Sequence, residues 1–174
     1  GGIPYGTSGM GTSVHLAGEL FKSMSKARIE AVFFKGDSES LSNVMGGHVP
    51  LSINTVPGAK SQIDAGTVRA LAVTSHQRTP TLKDVPTVAE SGVPDYEVST
   101  WFGVLGPKGM DPALVQKLNA DIRAAMSNPA IAQPLAEKGM VVTLGSPADF
   151  DRLIRGEINK WRLVVERLDM RGKF

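Results

Sequence analysis

The period of the apolar positions changes repeatedly along the first 75 residues. A short apolar stub at residues 3–5 leads into a glycine-rich stretch, 6–13, after which Val14, Leu16, Ala17, Leu20, Phe21 and Met24 recur at helical spacing. Residues 28–34 are rich in β-formers and predict a strand. Lys35-Gly36-Asp37-Ser38 then supplies turn and cap residues for a helix through Leu41, Val44 and Met45, which Gly46-Gly47 stops. Residues 49–54 predict the next strand, 56–65 a helix ended by Gly66, and 68–74 a further, continuously apolar strand. Such alternation predicts parallel strands joined by crossover helices, with the strands buried on both faces.

The pattern differs beyond Thr74. Residues 75–94 hold three of the eleven prolines and no long-range periodicity apart from a short helix predicted over 87–91, so they form a connector. Residues 96–105 predict a strand carrying Trp101 and Phe102, ended by Pro107-Lys108-Gly109. Three helices follow. Asp111 caps the first, with Leu114, Val115, Leu118, Ile122 and Met126 on its apolar face; Pro129 opens the second; Ser146-Pro147 opens the third. That last helix carries Phe150, Leu153, Ile154, Ile158, Trp161, Val164 and Val165, and its stripe assigns Trp161 to the core. A strand at 140–144 is predicted between the last two helices.

Composition narrows the function classes. With 174 residues and 41% hydrophobic content the chain is long enough for a packed core. Its charged residues, 21% of the chain, nearly cancel to +2 and are scattered, which leaves no nucleic-acid footprint. The densest basic stretch, 162–173, is interrupted by Glu166 and Asp169 on an amphipathic pattern and reads as a solvated face. No run approaches the ~20 apolar residues of a membrane span, and the first residues lack the basic, apolar, small-residue order of a secretory signal. Zero cysteines exclude disulfides, thiolate metal sites and a cysteine nucleophile.

The glycine-rich stretch is the strongest local signal, because glycines let backbone N–H groups converge just where a helix start adds unpaired donors and partial positive charge. It reads as an anion site, with an ordinary structural helix entry as the alternative. Gly6 to Ser13 follows G-x-x-x-x-G-T-S, with Thr12 in place of the phosphate-binding lysine of a nucleotide loop, and Gly9-x-Gly11-x-x-Val14 fails the dinucleotide fingerprint at its last glycine. Ser8 is followed two residues later by Met10, which breaks the nucleophile-elbow pattern. Lys35-Gly36-Asp37-Ser38-Glu39-Ser40 is a second strand-to-helix junction, readable simply as a helix cap at Asp37, and Asn54-Thr55 is a third. Ligands of open α/β sheets collect beyond the carboxyl ends of the strands, so the three junctions are expected to share one cleft. His15, His48 and His76 lack metal-ligand spacing and read as structural or surface residues. Trp101 reads as a ligand contact or as a buried aromatic on a strand.

Taken in order, S-G-M-G-T-S-V-H-L-A-G-E-L-F (8–21), F-K-G-D (34–37), G-G-H-V (46–49), R-A-L-A-V-T-S (69–75), D-V-P-T-V-A-E-S-G (84–92), Y-E-V-S-T-W-F-G (96–103) and E-I-N-K-W (157–161) resemble the tripartite tricarboxylate transporter substrate-binding proteins, also called the Bug family. The resemblance implies a periplasmic, non-enzymatic receptor of the type II binding-protein class. Two α/β lobes would close on a small mono- or dicarboxylate, which is then delivered to the membrane permease subunits of the transporter. Residues 1–95 would be the second, ligand-binding lobe. Residues 96–174 would be the crossover strand and C-terminal helices of a first lobe whose N-terminal half is absent here. The implied ligand residues are Ser8, Gly9, Gly11, Thr12, Ser13, Gly36, Asp37, Asn54 and Trp101, without cofactor or metal. Two positions depart from the family pattern: Asp37 stands where a small residue is frequent, and Asn54 where an aspartate is common. A ligand-sensing partner of a membrane signalling protein is the alternative role, and an enzyme using the glycine loop a more distant one. A homo-oligomer is expected, since an incomplete first lobe leaves apolar stripes uncovered.

Overall fold

A computed structural model describes residues 1–172. The first of two units, Gly1–Thr100, contains β1 (Ile3–Thr7), α1 (Ser13–Ser25), β2 (Ile29–Phe33), α2 (Asp37–Met45), β3 (Leu51–Ser52) and α3 (Val56–Asp64). The second, Trp101–Arg171, contains α4 (Pro112–Met126), α5 (Pro129–Glu137) and α6 (Pro147–Arg167). The strands of the first unit are parallel in the order β2-β1-β3, with Ile3 opposite Ile29 and Tyr5 opposite both Ala31 and Leu51. The crossover architecture read from the alternating periods is therefore present, built around β1. The stub at residues 3–5 is the start of this central strand, and the first two residues of the glycine-rich stretch, Gly6 and Thr7, complete it.

The core of this unit gathers on β1. Tyr5 is fully buried and lies so close to Gly18 of α1 that any Cβ there would overlap its phenol. Val14, Ala17, Ile29 and Tyr96 are buried in the same unit, and the Tyr96 hydroxyl donates to the Ala17 carbonyl at 2.9 Å. Phe21 meets the Tyr96 ring edge-on at 6.1 Å between centroids. Burial pushes both phenols well above the usual tyrosine range, helped at Tyr5 by the neighbouring Glu19 carboxylate.

Several predicted elements take a different form. Residues 68–74 form no strand: only Val73 is buried, and its single ladder partner is an isolated bridge to Thr87. Apolar content without a neighbouring strand does not make a sheet. The predicted helix at 87–91 is a single turn, in which Thr87 N–H donates to Glu90 Oε2 (2.7 Å) and Glu90 N–H to Thr87 Oγ1 (3.0 Å). Gly92, at φ +105°, ends it in the left-handed region that favours glycine. Residues 96–105 alternate buried Tyr96 and Val98 with exposed Glu97 and Ser99, yet form no strand; Val98 N–H donates to Thr74 O at 2.8 Å without a ladder forming. Residues 140–144 form no strand either.

In the second unit the three helices start where predicted, with Asn128, which the sequence reading did not single out, as the cap before Pro129. Asp111 Oδ1 accepts from Ala113 N–H (2.8 Å), Asn128 Oδ1 from Ala130 N–H (3.0 Å), and Ser146 forms a reciprocal capping box with Asp149. Pro134 lies inside α5, where it removes one intrahelical bond. No described residue between Trp101 and Arg171 is buried. Trp161, assigned to the core from its stripe, is half-buried and donates to Glu157 Oε2 at 2.9 Å. The apolar faces exist as read, but within this unit there is too little opposing surface to cover them.

Candidate functional site

β1 ends at Thr7, and its carbonyl edge is where the three junctions meet. Phe34 N–H donates to the Thr7 carbonyl (2.9 Å) and Ile53 N–H to the Gly6 carbonyl (2.9 Å). The turns after β2, β1 and β3 therefore stand side by side, about one strand spacing (~4.8 Å) apart. This is the edge at which open parallel sheets bind ligands.

The loop after β1 is built by short local bonds. Gly9 and Gly11 sit at φ +92° and +76°, a region costly to residues with a side chain. Gly9 N–H donates to Thr7 O (3.1 Å), and the Thr12 hydroxyl donates to Gly9 O (2.9 Å) while accepting from His15 N–H (3.4 Å), so Thr12 is both tether and N-cap of α1. Ser13 and Val14, the first two helical residues, have no intrahelical acceptor for their N–H groups. These amides, with the hydroxyls of Ser8 and Ser13, are the donor set of the loop. Ser8, Thr12 and Ser13 are half-buried and Gly11 is exposed, so the set is accessible. The Ser13 hydroxyl also pairs with that of Thr100 at 3.0 Å, a partner with no signal in the local sequence.

His15 holds this loop from behind. It is buried, meets Phe33 edge-on at 5.0 Å, and its Nδ1 accepts from Gly11 N–H at 3.1 Å. Accepting at Nδ1 requires the neutral ring, and burial lowers its pKa from the ordinary histidine value against a smaller upward pull from Glu19. The sign of the linkage follows: the unfolded chain binds the proton more readily, so this stabilisation is fully present above about pH 6.5 and is lost as pH falls below it. Thermal melting followed from pH 7.5 to 5.5 is expected to show falling stability, by at most about 1.4 kcal/mol per pH unit for one proton. His15→Gln is expected to flatten that slope; an unchanged slope would remove His15 from the role.

The junction after β2 is not capped by Asp37. Gly36 is the N-cap, in extended backbone that any residue adopts, and a Cβ there would meet nothing within 4 Å. Asp37 is the first helical residue, and its carboxylate reaches sideways: Oδ2 accepts from Thr55 N–H (3.1 Å) and Thr55 Oγ1–H (2.6 Å) at the start of α3. Gly58 is needed beside it, since a Cβ would overlap that carboxylate. Asn54 donates to Ser52 Oγ. Ser40, fully buried on α2, stands over Gly6, where any Cβ would overlap its hydroxyl. The side-chain oxygens Thr7 Oγ1, Ser40 Oγ, Asp37 Oδ1 and Asn54 Oδ1 are buried without a hydrogen-bond partner. Such groups are costly unless another molecule meets them. Their gathering at the carboxyl ends of the three strands was not visible in the sequence, where Thr7 and Ser40 look like ordinary small polar residues.

Of the other expected residues, Trp101 belongs to the second unit, where it meets Phe150 edge-on at 5.5 Å. His48 and His76 are exposed, and no cluster of metal-binding side chains exists among the described residues. A shallow open cleft at the opposite, amino ends of β1 and β2 is lined by Lys22, Lys26, Arg28 and Glu30, all exposed. The donors that the loop itself offers an anion are N–H and O–H groups.

Residues 1–170 match the family model described as "Tripartite tricarboxylate transporter family receptor". Protein BugT of Bordetella pertussis is 33% identical over 165 residues, which are 95% of this chain and 51% of BugT. Among solved structures, Rpa4515 of R. palustris with adipate is 38% identical with a TM-score of 0.87, over 96% of this chain and 56% of that one. MatC of Rhodopseudomonas palustris with bound malate is 26% identical with a TM-score of 0.81, over 94% and 56%. The chain thus spans about half the length of BugT and of these solved relatives. Among the described residues no helix is long and apolar enough to cross a membrane. By this match the chain belongs to the tripartite tricarboxylate transporter receptor family, solute-binding receptors rather than enzymes.

Proposed function

We propose that this chain is the second-lobe portion of a periplasmic receptor that captures a small organic carboxylate and hands it to the permease subunits of its transporter. Residues 101–171 would belong to the other lobe. The carrying observation is the loop Ser8–Ser13 at the carboxyl end of the central strand, with unpaired first-turn amides and glycines in the left-handed region. Relatives solved with adipate and malate support a carboxylate as the ligand. In this reading the Ser13 and Val14 amides and the Ser8 and Ser13 hydroxyls bind one carboxylate in a loop shaped by Gly9, Gly11 and Thr12, while Gly36, Asp37 and Asn54 line the neighbouring side.

A receptor that closes two lobes on its ligand divides the contacts between them. The 174-residue chain is therefore expected to bind weakly, with dissociation constants in the millimolar range, about −4 kcal/mol. Ligand-observed NMR with butyrate, 4-hydroxybutyrate, malate, glucose and AMP is expected to show saturable contact for the carboxylates and none for glucose. Micromolar affinity for any of them, or magnesium-dependent binding of the nucleotide, would contradict the proposal.

A further inference from the structure

We infer that Asp37 sets the charge class of the ligand: the side of the site beyond the glycine loop takes a neutral or hydrogen-bond-donating group and turns away a second carboxylate. The inference rests on the carboxylate reading above and narrows it.

A second carboxylate on the ligand would look for donors at the next helix start, that of α3. The donors of Thr55 and Gly58 are already taken. Thr55 N–H and Thr55 Oγ1–H both go to Asp37 Oδ2 (3.1 and 2.6 Å), and Gly58 N–H goes to Thr55 Oγ1 (3.2 Å). Asp37 thus occupies, from within the chain, the place an anion would occupy at this helix start. It is locked there, because Gly58 leaves room for the carboxylate and for no side chain of its own. The charge that Asp37 places on this side has the wrong sign for an anion. Asp37 Oδ1 and Asn54 Oδ1 are buried acceptors without a partner among the described residues, and a hydrogen-bond donor, not a carboxylate, is what could satisfy them. Since the junctions lie about one strand spacing (~4.8 Å) apart, a four-carbon acid held by the glycine loop would bring its far end close to Asp37. Two like charges at roughly 6 Å in a partly solvated cleft correspond to a penalty on the order of tenfold in affinity.

The test compares two acids of equal length, 4-hydroxybutyrate and succinate, by ligand-observed NMR at constant ionic strength and pH 7.5 on the 174-residue chain. The unsubstituted protein is expected to prefer 4-hydroxybutyrate by about tenfold. Asp37→Asn keeps an acceptor for Thr55 but removes the charge, and is expected to bring the ratio near one by strengthening succinate. Asp37→Ser serves as a second variant, and should both lose the fold, the unsubstituted ratio decides alone. Succinate binding as tightly as 4-hydroxybutyrate, or a ratio unmoved in a folded variant, overturns the inference and leaves the carboxylate reading intact. Neither acid binding at tens of millimolar to the folded, unsubstituted chain overturns the carboxylate reading, and this inference with it.

Discussion

Light scattering at micromolar concentration is expected to return a particle heavier than 18.5 kDa, the mass of one chain. The reason lies in residues 101–171. No described side chain there is buried, while Phe102 is 77%, Val104 74% and Leu105 72% exposed along a segment with no strand partner. Leu114, Leu118 and Ile122 recur at helical spacing on α4 and are also exposed, as are Leu153 and Ile158 on α6. Contiguous apolar surface and unpaired backbone promote association, and a second copy of this chain presents the same surfaces in return. Replacing Phe102, Val104 and Leu105 together by serine is expected to move the population towards the monomer. A monodisperse 18.5 kDa particle for the unsubstituted chain would contradict this.

The second large effect concerns the first unit. Tyr5→Ala is expected to destabilise it by about 3–5 kcal/mol, because a fully buried ring at the middle of the central strand leaves a cavity that β1 and α1 cannot close. That is a large share of the ~5–15 kcal/mol of a typical domain. Tyr5→Phe removes only the 3.4 Å bond to Glu19 and is expected to cost about 0.5–1.5 kcal/mol. Gly18→Ala is the informative companion. In an exposed helix it would stabilise by up to about 1 kcal/mol, but here the new Cβ overlaps the Tyr5 phenol, and overpacking of about 1–3 kcal/mol decides the sign. The aromatic residues supply separate probes, since both tyrosines lie in Gly1–Thr100 and both tryptophans in Trp101–Arg171. Urea unfolding followed by tyrosine near-UV circular dichroism should therefore show the shift. A midpoint unchanged in Tyr5→Ala would mean that β1 is not the centre of this core.

How much of this was legible in the sequence depended on whether the physical cause was local. The helix starts at Ser146, Asp111 and Asn128 are set by side chains two or three residues from the amides they satisfy, and the alternation that implies a parallel sheet is likewise short-range. The predicted strands at 68–74 and 96–105 failed because pairing is not local: each needs a neighbour that the chain does not place beside it. The glycine loop was readable because left-handed backbone requires glycine at Gly9 and Gly11. The Asp37–Thr55 contact was not, because it joins residues 18 apart whose side chains, read singly, look like ordinary helix starts. The same holds for His15, which the sequence placed as a structural or surface residue, but whose acceptor role towards Gly11 depends on the loop curling back over α1.

The central claim is that the loop following β1 holds the carboxylate of the ligand. It is tested most directly by amide-resolved NMR of the folded chain titrated with butyrate at constant ionic strength. The account predicts saturable shifts concentrated at the N–H groups of Gly9 to Val14, sharply weakened in Gly11→Val, whose side chain is forced into a left-handed conformation. Shifts confined to the open cleft around Lys22 and Arg28, with the amides of Gly9 to Val14 unmoved, would contradict it.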